Sequence, residues 1–316
     1  MNDDILVSIN CITYNHEKYI AQAIESFLMQ ITNFKYEILI HDDASTDNTV
    51  KIIKEYEKKY PNVIKTIFQK ENQYSKGKKV EIFGFKKSRG KYIAFCEGDD
   101  YWLDKYKLQK QVDYMEEHFD CGICFHTVSI YDDKLKKFIG KIEPYKKNII
   151  SSTDDIILGD GDFIGTSSIF FRKKNVLKLP KFYFKAPVSD YPLQIFNSCI
   201  KYAYFMKEEM SIYRINTGNS WSDNHTNNKK QIFLIEKIIK FLEEFNKFSN
   251  KKHEKSIKKM IEKKSFDMLD YDLKENILSD LKKEEYFHLL TFKNKIKYNR
   301  RKIKNIIKNK FFNKKD

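Results

Sequence analysis

The 316-residue sequence predicts an α/β fold: a mostly parallel central sheet flanked by helices, with a helical appendage at its C-terminal end. Three observations carry that expectation. Between residues 5 and 100, short β-type runs alternate with stretches whose apolar residues recur at helical spacing. Each of those runs closes in a polar cluster, as strands do where they open onto a ligand crevice. From residue 229 onward the apolar spacing is helical throughout, and lysine fills many of the other positions.

In chain order, residues 5–11 form the first strand, which runs into the turn Thr13-Tyr14-Asn15. Ile20, Ala23, Ile24, Phe27 and Leu28 then mark one face of a helix. Residues 36–40 make a second strand closed by His41-Asp42-Asp43, after which Ser45 or Thr46 caps a helix through Val50, Ile53 and Tyr56, with Pro61 beyond its end. Residues 63–68 and 92–96 are the third and fourth strands. This rhythm implies βαβ crossovers, so the Thr13, Asp43 and Glu97 segments should meet at the carboxyl edge of one sheet. Past residue 120 the pattern changes. Residues 121–131 and 136–142 read as a hairpin turning at Asp132-Asp133-Lys134, residues 166–172 as another strand, and residues 191–200 as a helix. Ile232, Ile235, Ile238, Leu242 and Phe245 stripe the first helix of the appendage, a spacing that usually packs against a main domain. The expected division is therefore residues 1–228 and 229–316.

With 41% hydrophobic residues and 15% aromatics, the chain has enough apolar surface for a large core, which excludes global disorder. No run of about 18 apolar residues occurs, and Met1-Asn2-Asp3-Asp4 lacks a basic-then-apolar leader pattern, so the expected location is the cytoplasm. Five cysteines, an odd number, suit a reducing compartment. Cys121-Gly-Ile-Cys124 has redox spacing, but no second pair completes a zinc site, and Ile123 and Phe125 beside it read as buried strand. The net charge of +15 is uneven: residues 291–316 hold eleven Lys/Arg against Asp316 alone. Ile296, Ile303, Ile306, Ile307, Phe311 and Phe312 are interleaved with those lysines at helical spacing. A basic amphipathic helix on anionic lipid headgroups is the reading this pattern favours, ahead of a solvated helix or nucleic-acid binding.

The most informative stretch is Glu97-Gly98-Asp99-Asp100-Tyr101-Trp102, where an apolar strand ends in three carboxylates within four residues. Carboxylates so crowded repel one another unless a cation sits among them. Oxygen-only ligands suit a hard ion, Mg2+ or Mn2+, whose remaining positions go to water and phosphate. A solvated acidic turn is the plainer alternative.

Assembled in order, these segments resemble the family 2 glycosyltransferases, enzymes of the Rossmann-like GT-A nucleotide-sugar-binding fold, over about residues 5–222. Val7-Ser8-Ile9 into Thr13-Tyr14-Asn15 is similar to that family's first strand, and residues 37–49 to its second-strand signature. Glu97-Gly98-Asp99 stands where the family has Asp-x-Asp. Tyr101-Trp102-Leu103-Asp104 and Lys107-Leu108-Gln109-Lys110-Gln111 resemble a bacterial surface-polysaccharide subgroup. Gly165-Thr166-Ser167-Ser168 and Ser189-Asp190-Tyr191-Pro192-Leu193 are similar to its acceptor-side motifs, and residues 213–222 to its closing motif.

The resemblance implies a nucleotide-sugar donor, UDP-linked by the family's habit, and a glycan or lipid-linked glycan acceptor in capsule, O-antigen or lipooligosaccharide synthesis. The group moved would be of hexosyl or N-acetylhexosaminyl type. It also implies roles. Tyr14 and Asp43 would hold the base, with Thr13, Asn15 and Gly98 beside the nucleotide; core packing for Tyr14 and helix capping for Asp43 stay open. Asp99 would carry the metal, with Glu97 on the hydrated ion or the ribose. Asp190 would be the general base of an inverting displacement, though Asp before Tyr191-Pro192 also suits a helix N-terminus. Arg214 would clamp phosphate oxygens or make a salt bridge. Trp102, Thr166 and Ser167 would face the acceptor, and Asp100 would either touch it or only buttress the loop.

Two features depart from the family pattern. Asn216 stands where a histidine is common, leaving His225 either as a substitute or, the favoured reading, as a solvated loop residue, and the family's Arg-Asn phosphate contact is not evident, leaving Lys76, Lys78 or Lys79. Rival readings fit less well. A nucleotidyltransferase needs a glycine-rich loop that residues 8–15 lack. A nucleic-acid-binding protein would line its crevice with the basic residues that this chain puts in its tail. In a non-catalytic scaffold, Asp99 and Asp190 would have no reason to be intact.

Overall fold

The computed structural model describes residues 4–177, 179–218 and 227–312. The chain divides into two compact units, one of Met1–Phe184 with Val188–Asp223 and one of Lys185–Pro187 with Asn224–Asp316.

The first unit begins as the sequence predicts. β1 (Ile5–Thr13), α1 (Ile20–Leu28), β2 (Lys35–Asp42), α2 (Thr49–Lys59), β3 (Ile64–Phe68), α3 (Glu81–Lys87) and β4 (Tyr92–Glu97) follow one another. Their strands lie in the order β3-β2-β1-β4, all parallel. Val7, Ile9 and Cys11 of β1 meet Ile20, Ile24 and Phe27 of α1 in a core sealed from water. Burying side chains of this size is worth roughly 1.5–3 kcal/mol each.

Beyond β4 the sheet is mixed. β5 (Tyr101–Trp102), α4 (Lys107–Glu117), β6 (Cys121–Asp132), β7 (Lys137–Ile142), β8 (Ile149–Ser151), α5 (Thr153–Gly159), β9 (Phe170–Arg172), α6 (Asp190–Ser198) and β10 (Tyr202–Ile215) complete the unit. The path continues from β4 through β9, β6 and β10 to β5, with β7 on β6 and β8 on β10. Only β6 and β10 pair in parallel here, because hairpins and short returns bring strands back antiparallel. The parallel rule therefore governs the first half of the sheet and not the second.

Two local expectations are corrected. Residues 166–172 are not one strand: Thr166–Ser168 is a 3-10 turn and only Phe170–Arg172 pairs. Ser168 turns back on itself, its N–H and hydroxyl both donating to the Gly165 carbonyl at 2.9 and 2.7 Å. Ser45 and Thr46 do not cap α2. Ser45 is spent on Asp42, and Asp47 Oδ1 instead accepts the Thr49 N–H at 2.9 Å.

The redox-like Cys121-Gly-Ile-Cys124 is buried strand, with both cysteines free. Its glycine serves a close approach: a Cβ on Gly122 would lie 1.9 Å from the Asn197 carbonyl oxygen of α6. A deeper oddity is Lys107, buried at the start of α4 with its ammonium 3.9 Å from the Trp102 ring centroid and 2.8 Å from Gln111 Oε1. Burial drives its pKa down to about 7.

The second unit is helical: α7 (Asn228–Phe248), α8 (Glu254–Glu275), α9 (Asp280–His288) and α10 (Phe292–Phe312). The apolar face of α7 runs Ile232, Ile235, Ile239, Leu242, Phe245, so Ile239 takes the buried place expected for Ile238. The stripe is used inside this unit, where Ile232, Ile235 and Ile239 share a core with Phe266, Met268 and Leu269 of α8. Among the described residues no helix is long and apolar enough to cross a membrane.

Gly122→Ala should lower stability by about 1–3 kcal/mol, since α6 must shift away from β6 to admit a methyl group. Urea unfolding of the two proteins, with unchanged m-value, checks this; equal midpoints would mean the strand–helix approach relaxes freely.

Candidate active site

The carboxyl ends of β1, β2 and β4 are laced together beyond the last ladder pairs. The Gly98 N–H donates to the Ile12 carbonyl at 2.8 Å, and the Asp43 N–H to the Thr13 carbonyl at 3.0 Å. Gly98 is needed for that closeness: a Cβ there would lie 2.7 Å from Thr13 Oγ1 and 3.1 Å from His16 Nδ1. Asn15 sits in the left-handed region at φ 56°. From there its N–H reaches Ser45 Oγ at 2.8 Å and its Oδ1 accepts the Thr46 N–H at 2.8 Å, tying the β1 turn to the β2 turn. Thus Thr13, Asn15, Asp43 and Gly98 are gathered at one edge.

Asp43 is buried, and its two carboxylate oxygens accept the backbone N–H groups of Gln73 and Tyr74 at 2.8 and 2.9 Å. It therefore fixes the loop after β3 and does not cap α2. Tyr14 is 38% exposed, which argues against core packing and leaves its ring free to stack.

The β4 terminus gathers the acids. Asp99 is 3% exposed, with Thr217 Oγ1 at 3.4 Å and His16 Nε2 at 3.7 Å from its Oδ2. Burial, then Asp99, Asp190 and Glu81, push the Glu97 carboxyl up to about 8. Without a counter-ion Glu97 thus keeps its proton near neutrality, and a bound cation would expel it. Asp100 is completely buried, and its carboxyl is held well above the usual range, first by burial and then by Asp99. Its Oδ1 accepts the Arg214 N–H at 2.9 Å, so it buttresses β10 and does not face an acceptor.

Arg214 is spent locally. Its guanidinium donates to the Asp99 carbonyl and to Gln22 Oε1, and lies 4.4 and 5.2 Å from the ring centroids of Tyr101 and Tyr19. It braces the acidic turn from the back. Asn216 is tied through Nδ2 to Asp132 at 2.9 Å.

On the opposite side, Asp190 opens α6, and burial pushes its carboxyl above the usual range. The Tyr191 N–H and Lys79 pull the other way, while Glu81 adds to the rise. The cation beside it is Lys79, whose ammonium donates to the Val188 carbonyl at 2.5 Å and lies 3.4 Å from Ser189 Oγ. Lys76, by contrast, pairs with Glu71. Glu81 is buried, with one oxygen 3.0 Å from the Tyr183 hydroxyl and the other without a partner among the described residues.

Two acceptor-side expectations are corrected. Trp102 is 1% exposed, its indole N–H on the Ser167 carbonyl at 3.0 Å and its ring edge-on to Phe27. Ser167 is buried against the Ser211 hydroxyl at 2.9 Å. Both are core, because strand β5 tucks its second residue inward. Thr166 is half-buried. Ser220, Trp221, Ser222 and His225 lie outside the described residues.

The sequence reading missed His16, Glu81 and Tyr183. His16 follows the quoted turn by one residue, and its place beside that turn was the signal available. Glu81 carried none, being an ordinary helix-start acid. As for a metal, no three of His, Cys, Asp and Glu converge at ligand range among the described residues. The residues present nonetheless fit a cation that diphosphate and water complete: a buried carboxylate, a carboxyl crowded by its neighbours, and unpartnered buried atoms at Thr13 Oγ1 and His16 Nδ1.

Fold and site together define an α/β protein with a cluster of carboxyl groups at the strand ends. The chain belongs to glycosyl transferase family 2, whose model matches residues 8–179. Rv1520 of Mycobacterium tuberculosis, an uncharacterized protein, is 33% identical over 233 residues, 71% of this chain and 63% of its own length. The chain therefore spans less than two thirds of that relative. WfaP of Escherichia coli, a UDP-Glc:alpha-D-GlcNAc-diphosphoundecaprenol beta-1,3-glucosyltransferase, is 38% identical over 112 residues, 35% of this chain and 41% of its own. Among solved structures, Staphylococcus aureus TarS 1–349 with UDP-GlcNAc superposes at a TM-score of 0.65 and 14% identity, covering 95% of this chain and 89% of that one. The fold is that of the GT-A glycosyltransferases.

If Asp190 acts as an ionised base, activity is present above its pKa and lost as pH falls through it, above the ordinary aspartate range. Glu81→Gln should move that acid limb down and Lys79→Met should move it up. Rate–pH profiles at saturating donor check both signs; limbs that stay put in both variants would detach Asp190 from the limiting proton.

Proposed function

We propose that this protein is an inverting, metal-dependent glycosyltransferase that moves a sugar from a nucleotide-sugar donor to a hydroxyl of a glycan or lipid-linked glycan in surface-polysaccharide synthesis. The observation that carries the reading is the family 2 match over residues 8–179, and the influence of both Asp99 and Asp190 on the Glu97 carboxyl supports it. UDP-linked donors are favoured because WfaP uses UDP-Glc and TarS binds UDP-GlcNAc.

In this reading Tyr14 stacks on the base, while Asp43, fixed by the 73–74 backbone, accepts from it. A Mg2+ or Mn2+ ion held by Asp99 with Glu97 would neutralise charge on the departing diphosphate. Asp190 takes the proton of the acceptor hydroxyl as its oxygen bonds the anomeric carbon and the bond to the diphosphate breaks. One displacement inverts the centre, so an α-linked donor yields a β linkage. Lys79 favours the ionised form of Asp190 against the larger effect of burial, and the raised pKa brings that carboxylate nearer the operating pH, where a general base works best.

The deciding experiment is a panel of nucleotide sugars assayed with Mn2+, with Mg2+ and with EDTA. Asp190→Asn should leave donor affinity within a few-fold and cut turnover by about 10² or more. Lost donor binding with normal turnover at saturation would make Asp190 a structural helix start.

The acceptor reading rests on α10. Tyr298 is buried, Arg301 pairs with Asp270 and Asn305 Nδ2 donates to the Leu273 carbonyl, so one face of α10 is docked on α8. Phe292, Ile296, Ile303, Ile306 and Ile307 are exposed, and a 100° step per residue gathers them on another face, flanked by Lys293, Arg300, Lys302 and Lys304. That face suits an anionic membrane surface, where each basic residue contributes about 1 kcal/mol, and a lipid-linked acceptor would lie there. Nucleic acid is not an expected partner. Removing the helix would strip α8, so the cleaner test is Ile303→Ser with Ile306→Ser and Ile307→Ser. Co-sedimentation with phosphatidylserine vesicles should fall strongly in that variant; unchanged binding would leave α10 a solvated helix.

A further inference from the structure

His16 lies where β1 turns toward α1, and its backbone is held from both sides. Its N–H donates to Thr49 Oγ1 at 2.9 Å, and its carbonyl accepts the Tyr19 and Ile20 N–H groups, both at 2.9 Å. The residue is 9% exposed. Its Nδ1 is buried without a partner among the described residues, on the side where Gly98 leaves room. Its Nε2 faces Asp99 Oδ2 at 3.7 Å. That is too far for a hydrogen bond, so the imidazole and the carboxylate face one another without a direct bond, and Asp99 Oδ2 takes only the long contact from Thr217 Oγ1. Two atoms that each bind one small divalent ion at about 2.1 Å stand roughly 3–4 Å apart. The separation therefore suits a shared cation better than a direct contact.

We propose that His16 Nε2 is a metal ligand alongside the Asp99 carboxylate, and that it biases the site toward Mn2+ over Mg2+. The inference rests on the reading of this crevice as a metal-dependent donor site. Its own content is the imidazole. Mg2+ holds oxygen ligands and water almost exclusively, whereas a later divalent ion of the first transition row accepts nitrogen readily. Thr217 Oγ1, 3.4 Å from the same carboxylate oxygen, closes the other side of the space.

The test measures Mn2+ binding to the full chain by the electron paramagnetic resonance of free Mn2+, alone and with UDP, with Mg2+ as competitor. His16→Ala and His16→Gln should each weaken Mn2+ by at least about tenfold, a loss that even outer partners of metal ligands can cause. Mg2+ affinity should change little, so the Mn2+ preference collapses. Asp99→Asn should weaken both ions. Glutamine keeps the bulk at the site, so agreement of the two His16 variants, with unchanged melting temperatures, separates ligation from packing. If both His16 variants hold Mn2+ as the parent does while Asp99→Asn loses it, His16 is no ligand and the donor-site reading stands. If the parent itself takes up no Mn2+ with or without UDP, the metal-dependent reading falls and this inference with it.

Discussion

Three carboxylates at the end of one buried strand repel one another, and the surrounding structure is arranged to hold them there. Asp100 is sealed off and anchored on the backbone of β10. Arg214 spends its guanidinium on the Asp99 carbonyl and on two tyrosine rings, so its charge stays behind the turn and does not neutralise the Asp99 carboxylate directly. Glu97 is left to relieve the strain by keeping a proton. On the proposed reading a cation bound here would remove a repulsion that folding has already imposed. Breaking the backing of such a group by removing one partner is costly, since the other is left buried and uncompensated.

The same turn is held from below by an unusual node. Lys107 lies under the Trp102 ring, and Gln111 joins its ammonium while donating to the Ser168 carbonyl at 3.1 Å. Trp102 in turn donates to Ser167, whose hydroxyl meets Ser211 of β10. A buried amine with no carboxylate within ion-pair range among the described residues is an expensive choice for mere packing. Its geometry links α4, the turn after β4, the 166–168 turn and β10 into one rigid block.

Much of this was legible in the residues. Period and strand-end chemistry located the first four strands and the crevice, because a parallel sheet forces its ligand residues to the carboxyl edge. The mixed half was less legible. Single-sequence patterns mark a strand but not its partner, and residues 166–172 have strand composition although Ser168 closes a turn within them. Trp102 and Ser167 looked like wall residues because motif order says nothing of which way a two-residue strand faces. Glu81 was invisible, and His16 showed only through its place beside the β1 turn, because the importance of both arises from partners that approach only through the fold.

The junction between β4 and β9 marks where the sheet passes from all-parallel to mixed pairing. Nearly everything we assign to the nucleotide is carried by the parallel half, while Asp190 and Thr166 belong to segments that follow β5. The two tasks are thus written on separate stretches of chain that meet along one seam. Under the proposed function such an arrangement would be modular: acceptor choice could drift by insertion and loop exchange after residue 120 while the nucleotide half is kept. A graft of that later segment from a relative, with the Lys107 node retained to match the seam, would then be the natural unit for redirecting the proposed transfer toward a different glycan.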